Sequence, residues 1–338
     1  MLNSLNRRDF ISAFGIGLSF PSAALLSSES DISRSTENPR FWSADQNRIR
    51  FGSTNITNPV KILFVSDTHL YIDDFRGEPF RQYSARMAGA YNETTHFQTG
   101  IKTNPEESLR FLPSLIQIEK PDAVVLLGDI LSFPSEAGVE LLCSILDETG
   151  VPWYYISGNH DWHYEGLPGT ELELRKEWTA KRLTPLYHGN NPMMYTVNLN
   201  GLNIVLIDDS VYEIIPEQLD FLRVQIDSGI PFILGMHIPL YVPGRDVGFG
   251  CGHPDWNAAN DRNWEIERRP RWRESGHSEV TFAFHYEVFS APNILGVFTG
   301  HIHGSFTDSL NGVPQFVVPT NSNGNYKIAE FKPIGNWK

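Results

Sequence analysis

The sequence Trp-Tyr-Tyr-Ile-Ser-Gly-Asn-His-Asp-Trp-His occupies residues 153–163. Its first four residues are apolar or aromatic, which predicts a buried strand. A glycine, an amide, an imidazole and a carboxylate follow this strand almost at once. A single turn of this kind would more simply be a polar loop. The meaning of the stretch therefore depends on whether other strands end in the same way.

Four other apolar runs of strand length also end in polar groups that can carry chemistry. The runs cover 61–65, 123–127, 231–236 and 293–298, and the polar residues after them are Asp67, His69, Asp129, His237, His301 and His303. Helical patterns at 106–119 and 137–148 lie between strands, and this alternation predicts a parallel sheet buried on both faces. Since sites in such sheets form at the carboxyl ends of the strands, we expect all five strand ends to converge.

Composition and charge limit the class of protein. The 338 residues suffice for one large α/β domain or two smaller ones, and 41% hydrophobic residues favour a globular protein over a disordered one. A net charge of −13 disfavours sequence-independent nucleic-acid binding, which depends on Lys and Arg neutralising phosphates. Small phosphorylated substrates stay compatible with this charge, because a bound metal ion can reverse the local field.

The N-terminal segment resembles a twin-arginine export signal. Arg7 and Arg8 stand just before Phe10 and an apolar run that extends to about Leu26. The run, roughly 16 residues long, is shorter than the ~20 residues that a membrane-spanning helix needs. We therefore predict a signal peptide over 1–28, a periplasmic or secreted product, the export machinery as a partner and no stable membrane anchor.

The remaining chain is interpreted as a lead-in followed by one domain. Residues 29–58 are polar and charged, which predicts a linker or irregular segment. A single domain is expected over 59–338, with inserted loops at 71–104 and 241–283. Because loops of this length are usually functional or disordered, we expect both to wall the site and select its substrate.

The two cysteines bear on metal chemistry. Cys143 and Cys251 do not form a Cys-x-x-Cys pair, which excludes a thiolate zinc site. An exported protein could join them in a disulfide, and the sequence leaves this open.

The order of the motifs Asp-x-His, Gly-Asp, Gly-Asn-His-Asp, His and Gly-His-x-His resembles the calcineurin-like metallophosphoesterase family over about residues 61–320. The resemblance implies an α/β fold, a four-layered α/β/β/α sandwich of two mixed sheets, with the site at the carboxyl ends of the strands. It also implies two divalent or mixed-valence transition-metal ions (Mn, Fe or Zn) and assigns their ligands. Asp67, His69 and His303 would hold one ion, Asn159, His237 and His301 the other, and Asp129 would bridge both.

General chemistry agrees with this assignment. Nitrogen and oxygen ligands suit Mn, Fe or Zn, and a shared carboxylate can hold two cations ~3.5–4 Å apart. We therefore predict hydrolysis of a small phosphomonoester or phosphodiester by in-line attack of a metal-bridging hydroxide. His160 is the candidate general acid for the leaving group, and Asp161 is expected to orient its imidazole or raise the pKa of His160. Ser132 stands where related purple acid phosphatases have a tyrosine, so an iron–tyrosinate centre is not expected.

Two other functions remain open at this stage. One is a nuclease of the same fold, which the acidic charge disfavours. The other is a binding or scaffold protein that keeps the fold without catalysis. Trp162 is interpreted as a packing residue. The remaining histidines that we consider are interpreted as ordinary surface or loop residues: His163, His188, His253, His277 and His285. Among them, His163 is the first candidate for an exception, because it lies two residues after Asp161.

Overall fold

Two six-stranded sheets organise the structure, a computed structural model that describes residues 40–260 and 275–336. The strands are, in chain order, β1 (Arg40–Asp45), β2 (Arg48–Ser53), β3 (Val60–Val65), β4 (Thr94–Thr95), β5 (Lys102–Thr103), β6 (Ala123–Leu127), β7 (Trp153–Ile156), β8 (Met194–Leu199), β9 (Leu202–Ile207), β10 (Phe232–Gly235), β11 (Ile294–Thr299), β12 (Phe306–Leu310), β13 (Val313–Val317) and β14 (Lys327–Pro333). The helices are α1 (Arg81–Ala90), α2 (Pro105–Glu119), α3 (Glu136–Asp147), α4 (Glu171–Trp178), α5 (Pro216–Asp227) and α6 (Glu279–Val288).

Both large sheets are mixed. The first has the order β1-β2-β14-β3-β6-β7, with β3, β6 and β7 parallel and β14 antiparallel to β3. The second has the order β12-β13-β11-β10-β9-β8, with four parallel central strands and antiparallel edge strands. The hairpin predicted at residues 194–207 is confirmed as β8 and β9. The parallel strands direct their carboxyl ends to one edge of each sheet.

The sheets pack face to face through aromatic side chains. Phe64 of β3 and Phe298 of β11 stack with ring centroids 4.1 Å apart. Phe51 of β2 meets Phe316 of β13 edge to face at 5.8 Å. Aromatic pairs in these geometries stabilise a core beyond the burial of their area. This layer fixes the two strand ends that carry Asp67 and the Gly-His-x-His motif against each other.

Helices cover the outer face of each sheet. Helix α2 begins at Asn104, whose side chain accepts a hydrogen bond from the Glu107 N–H, and its Leu112 is buried in the same core as β3 and β6. Helices α5 and α6 bury Leu222 and Phe284 in a second core with β9, β10 and β11. The four-layered α/β/β/α sandwich of two mixed sheets is thus confirmed.

Several predicted loops contain regular structure. Residues 40–53 form the edge strand β1 and the adjacent strand β2 of the first sheet, so an irregular lead-in over 29–58 is wrong for that part. Strand β1 is mostly exposed, and the apolar residues in its sequence RFWSAD do not alternate with polar ones as in a typical half-buried strand. Segment 71–104 contains α1 and the β4–β5 hairpin, and segment 241–283 includes the start of α6. The predicted signal at 1–28 lies outside the described residues.

One compact unit, Asn38–Lys338, contains all the residues that the structure describes. Within it both cysteines are free thiols, with Cys251 buried and Cys143 half-buried. No helix in the described ranges is both long and apolar enough to cross a membrane.

Candidate metal centre

The first predicted ligand group converges at the carboxyl ends of β3 and β11. The Nε2 atoms of His69 and His303 lie 3.0 Å apart. His303 Nε2 also lies 3.4 Å from Asp67 Oδ1. The three side chains form a cluster in which the candidate ligand atoms lie within 4.8 Å of one another. The structure thus brings together the residues expected to hold one ion.

A second cluster forms around Asp129, His237 and His301, again within 4.8 Å. The Nε2 atom of His237 is 3.2 Å from Asp129 Oδ2. Asp129 also shares a cluster with His69 and His160. A carboxylate that belongs to two neighbouring ligand groups is what a bridging ligand requires.

Buried polar atoms without partners test whether a metal fits this site. Asn159 Oδ1 is buried and makes no hydrogen bond within the structure, and the buried His237 Nε2 makes no well-aligned hydrogen bond, with Asp129 Oδ2 as its neighbour at 3.2 Å. Such atoms are costly to leave unsatisfied, and a cation at the cluster would give them a partner. The other nitrogen of His237, Nδ1, lies 2.7 Å from the Leu127 carbonyl and donates to it, which leaves Nε2 to bind metal. The donor set therefore fits two transition-metal ions.

The backbone at the ligands is unusual. Five predicted ligands have left-handed φ angles between 51° and 68°: Asp67, His69, Asp129, His301 and His303. This conformation is uncommon for residues other than glycine and concentrates at functional sites. The loops after β6 and β7 approach each other closely at Gly128 and Gly158. A Cβ added to Gly128 would lie 2.4 Å from the Gly158 backbone nitrogen, so this approach requires glycine at position 128.

Asp161 has a different role from the one predicted. Its Oδ2 accepts hydrogen bonds from the backbone N–H groups of Asp129 (2.8 Å) and Gly158 (2.7 Å), and its Oδ1 accepts one from Leu131 (2.8 Å). His160 Nδ1 has no hydrogen-bond partner. The prediction that Asp161 orients His160 is therefore wrong, because the Asp161 carboxylate accepts hydrogen bonds from backbone N–H groups and not from the His160 ring. Asp161 instead positions the loops that carry Asp129 and Asn159.

Two further positioning residues follow β9 and were not predicted. Asp209 Oδ1 accepts hydrogen bonds from the backbone N–H groups of His237 and Ile238, each at 3.1 Å. The hydroxyl of the buried Tyr212 contacts His301 Nε2. Strand β9 ends in Asp208-Asp209, a pattern like that of the other strand ends, but it carries no ligand. That carboxylate pair is the signal by which the sequence could have indicated Asp209, whereas no such pattern marks Tyr212.

Charge within the cluster is arranged for cation binding. Burial alone would raise the pKa of Asp129, but the imidazoles of His237 and His160 hold it well below the usual range. Burial opposes protonation of His237, yet the Asp129 carboxylate raises the pKa of His237 to about 10. Burial and neighbouring imidazoles lower the pKa of His69 well below its usual value. Because ligands must be deprotonated, a cation bound here would displace a proton from His237.

A cavity of about 380 Å³ adjoins the cluster. Asn159, His160 and His163 line one side, and α1 with Tyr91 lines the other. The Tyr91 ring stacks on His69 with centroids 4.0 Å apart. Segment 71–104 therefore walls this cavity, as predicted. No sequence pattern marked Tyr91.

Some secondary predictions can also be compared with the structure. Trp162 is buried and donates to Ser210 Oγ at 2.9 Å, which confirms a packing role. Ser132 Oγ donates to the His69 carbonyl at 2.8 Å, so it supports a ligand through the backbone. His163, His253 and His277 lie in loops, as expected, but they are buried rather than at the surface.

Comparison with known proteins identifies the family to which the chain belongs. The family described as calcineurin-like phosphoesterase matches residues 60–305. A dimetal phosphatase from Danio rerio shares 12% identity, with 80% of this chain and 92% of that chain covered at a TM-score of 0.50. A purple acid phosphatase from yellow lupin (Lupinus luteus) seeds shares 12% identity at a TM-score of 0.47, and the match covers 82% of this chain and 47% of that chain. At such identities a structural likeness concerns the fold alone. No protein of curated function matches the sequence.

Proposed function

Because this chain belongs to the calcineurin-like phosphoesterase family of metal-dependent phosphoester hydrolases, we propose that it hydrolyses a small phosphomonoester or phosphodiester. The observation that carries the proposal is the convergence of the ligand groups on Asp129, with the buried Asn159 Oδ1 left without a hydrogen-bond partner. A protein that kept only the fold would have no need to retain this arrangement.

The assignment of ligands follows the two clusters. Asp67, His69 and His303 would hold one ion. The second would be held by His237, His301 and Asn159, and Asp129 would be shared. Two ions bound there would activate water and neutralise charge on the phosphoryl oxygens. Nitrogen and oxygen donors favour Mn, Fe or Zn over Mg or Ca.

His160 is proposed as the general acid. Its imidazole lines the 380 Å³ cavity, and its backbone N–H donates to Asp129 Oδ1 at 2.8 Å. This bond anchors the residue next to the cluster while the ring faces the space for substrate. We infer that His160 donates a proton to the leaving-group oxygen as the bond from that oxygen to phosphorus breaks.

Chelation and metal restoration test the proposed function. Metal-chelated protein is expected to lose hydrolysis of an aryl phosphomonoester and a bis-aryl phosphodiester, and Mn²⁺ is expected to restore at least one of them. Activity that is indifferent to both treatments would contradict the proposal. Absence of hydrolysis in folded, metal-loaded protein would support a binding or scaffold protein. Hydrolysis of single-stranded DNA with a steep salt dependence would support a nuclease.

Export by the twin-arginine route is a separate proposal. It is supported by Arg7, Arg8 and the apolar run after them, which lie outside the described residues. Replacement of both arginines by lysine is expected to leave the protein in the cytoplasm, and a periplasmic or secreted location of that variant would contradict the proposal.

A further inference from the structure

A second cavity, of about 330 Å³, lies beside the metal centre and contains a buried lysine. Its lining includes Phe97, Ser305, Asn325, Tyr326 and Lys327. Lys327 is only 3% exposed, and its Nζ donates to the Gln46 carbonyl at 3.2 Å and to Ser305 Oγ at 2.9 Å. Both acceptors are neutral. The third donor of the ammonium group has no protein partner within the described ranges.

The charge of Lys327 has no counterion among the described residues. Burial is the one cause that lowers the pKa of this amine, to about 8, and no carboxylate acts against it. Buried charges are normally paired, because removing an ion from water is costly. Lys332 on the same strand shows the ordinary arrangement, since it is half-exposed and pairs with Glu330 at 2.8 Å. Among the described residues, the charge of Lys327 therefore leaves a place for a bound anion.

The topology places this cavity close to the metal ligands. Lys327 pairs with Phe64 in the register between β14 and β3, and Phe64 precedes Asp67 by three residues. Three residues of chain span at most about 11 Å, so Asp67 lies within about 11 Å of Phe64. Ser305, which accepts from Lys327, follows His303 by two residues. An anion in the cavity would thus lie within the span of a small substrate molecule bound at the metal centre.

We propose that the Lys327 cavity binds a compact oxyanion, a phosphate or a carboxylate. The anion is either a second charged group of the substrate or a separate ion, and the first source depends on the proposed phosphoesterase activity. Lys327 contributes the charge, and Ser305, which follows the metal ligand His303 closely, positions the ammonium group. The aromatic rings of Phe97 and Tyr326 lie 6.3 Å apart on the cavity wall, where they can contact the organic part of a ligand.

The test uses the metal-loaded full chain and NMR of ¹³C-labelled lysine. The Lys327 signal is identified by its absence from Lys327→Met, a variant expected to fold because it removes an uncompensated buried charge. Titration with sulfate is expected to shift the Lys327 signal saturably and to leave the Lys332 signal unchanged. A Lys327 signal that sulfate and acetate both fail to move would overturn the proposal.

A kinetic comparison separates the two sources of the anion. A phosphomonoester with a terminal carboxylate on a flexible chain is compared with the matching amide. In Lys327→Met the preference in kcat/KM for the carboxylate is expected to fall about 10- to 100-fold, the loss of a hydrogen bond to a charged group. Lys332→Met serves as the control. An unchanged preference together with a positive titration assigns a separate ion, and a positive titration in a protein without esterase activity refutes only the proposed function.

Discussion

The Asp161→Asn substitution distinguishes a structural carboxylate from a catalytic one. Asp161 is fully buried and accepts three backbone hydrogen bonds, from Asp129, Leu131 and Gly158. Asparagine keeps one oxygen, and its NH₂ group must face at least one of these N–H donors. In the variant, at least one of these backbone N–H groups therefore stays buried without a hydrogen-bond acceptor.

The expected cost follows from these bonds. A hydrogen bond to a charged group contributes about 1.5–3 kcal/mol, and a buried donor without a partner costs about 1–3 kcal/mol. Allowing for relaxation, we expect Asp161→Asn to lower the free energy of unfolding by about 2–4 kcal/mol, a large share of the 5–15 kcal/mol typical of a domain. Metal content is expected to fall as well, because the loops that carry Asp129 and Asn159 lose their common anchor.

Urea unfolding followed by tryptophan fluorescence measures the first effect, and elemental analysis measures the second. The comparison is made at pH 8, because burial and the Asp129 carboxylate raise the pKa of Asp161 to about 7. Asp122→Asn is the matched control, since the exposed Asp122 accepts a single backbone hydrogen bond, from Lys61 at 2.7 Å. Its expected cost is below about 1 kcal/mol.

The opposite result would refute this reasoning. If Asp161→Asn kept the wild-type stability and metal content while turnover alone fell, Asp161 would act through His160, as the sequence suggested.

Four variants test other parts of the structure. Asn159→Ala is expected to lose metal, whereas His160→Ala is expected to keep its metal and lose ~10²-fold or more in turnover. Elemental analysis measures the metal content, and steady-state rates measure the turnover. Metal loss in both variants would make His160 a ligand. Tyr212→Phe removes the hydroxyl that contacts His301 Nε2 and is expected to weaken metal affinity by about 10- to 100-fold. Competition with a chelator measures this affinity. An unchanged affinity would refute the positioning role of Tyr212. Burial lowers the pKa of Lys327 from 10.5 to about 8, so between these values the unfolded chain binds more protons than the folded one. The difference in free energy of unfolding between wild type and Lys327→Met should thus rise by at most about 3 kcal/mol as the pH increases from about 8 to 10.5. A difference that does not change with pH would contradict the lowered pKa of Lys327.

The sequence was informative where chemistry and hydrophobic pattern coincided. Buried strands such as β6 and β7 are continuous apolar runs, and each is followed by polar groups that can bind a metal ion. The carboxyl ends of parallel strands meet at one edge, so the convergence of Asp67, Asp129 and His303 could be predicted. The edge strand β1 could not be predicted, because its apolar residues Phe41 and Trp42 are adjacent and give no strand-like alternation.

Roles that depend on side-chain direction were beyond the sequence. Asp161 is adjacent to His160, but the turn sends its carboxylate to the backbone of Asp129 and Leu131. Tyr91 and Tyr212 reach the ligands from separate segments, and no local pattern shows which tyrosine comes close in space. Charge balance is equally non-local, since the isolation of Lys327 depends on what packs around it.

The metal content of the purified protein tests the central claim most directly. After incubation with Mn²⁺ and removal of unbound metal, wild type is expected to hold about two ions per chain, and Asp129→Ala is expected to hold markedly fewer because the shared ligand is gone. Folded wild-type protein with less than one ion per chain, or Asp129→Ala that still holds about two, would contradict a metal pair centred on Asp129.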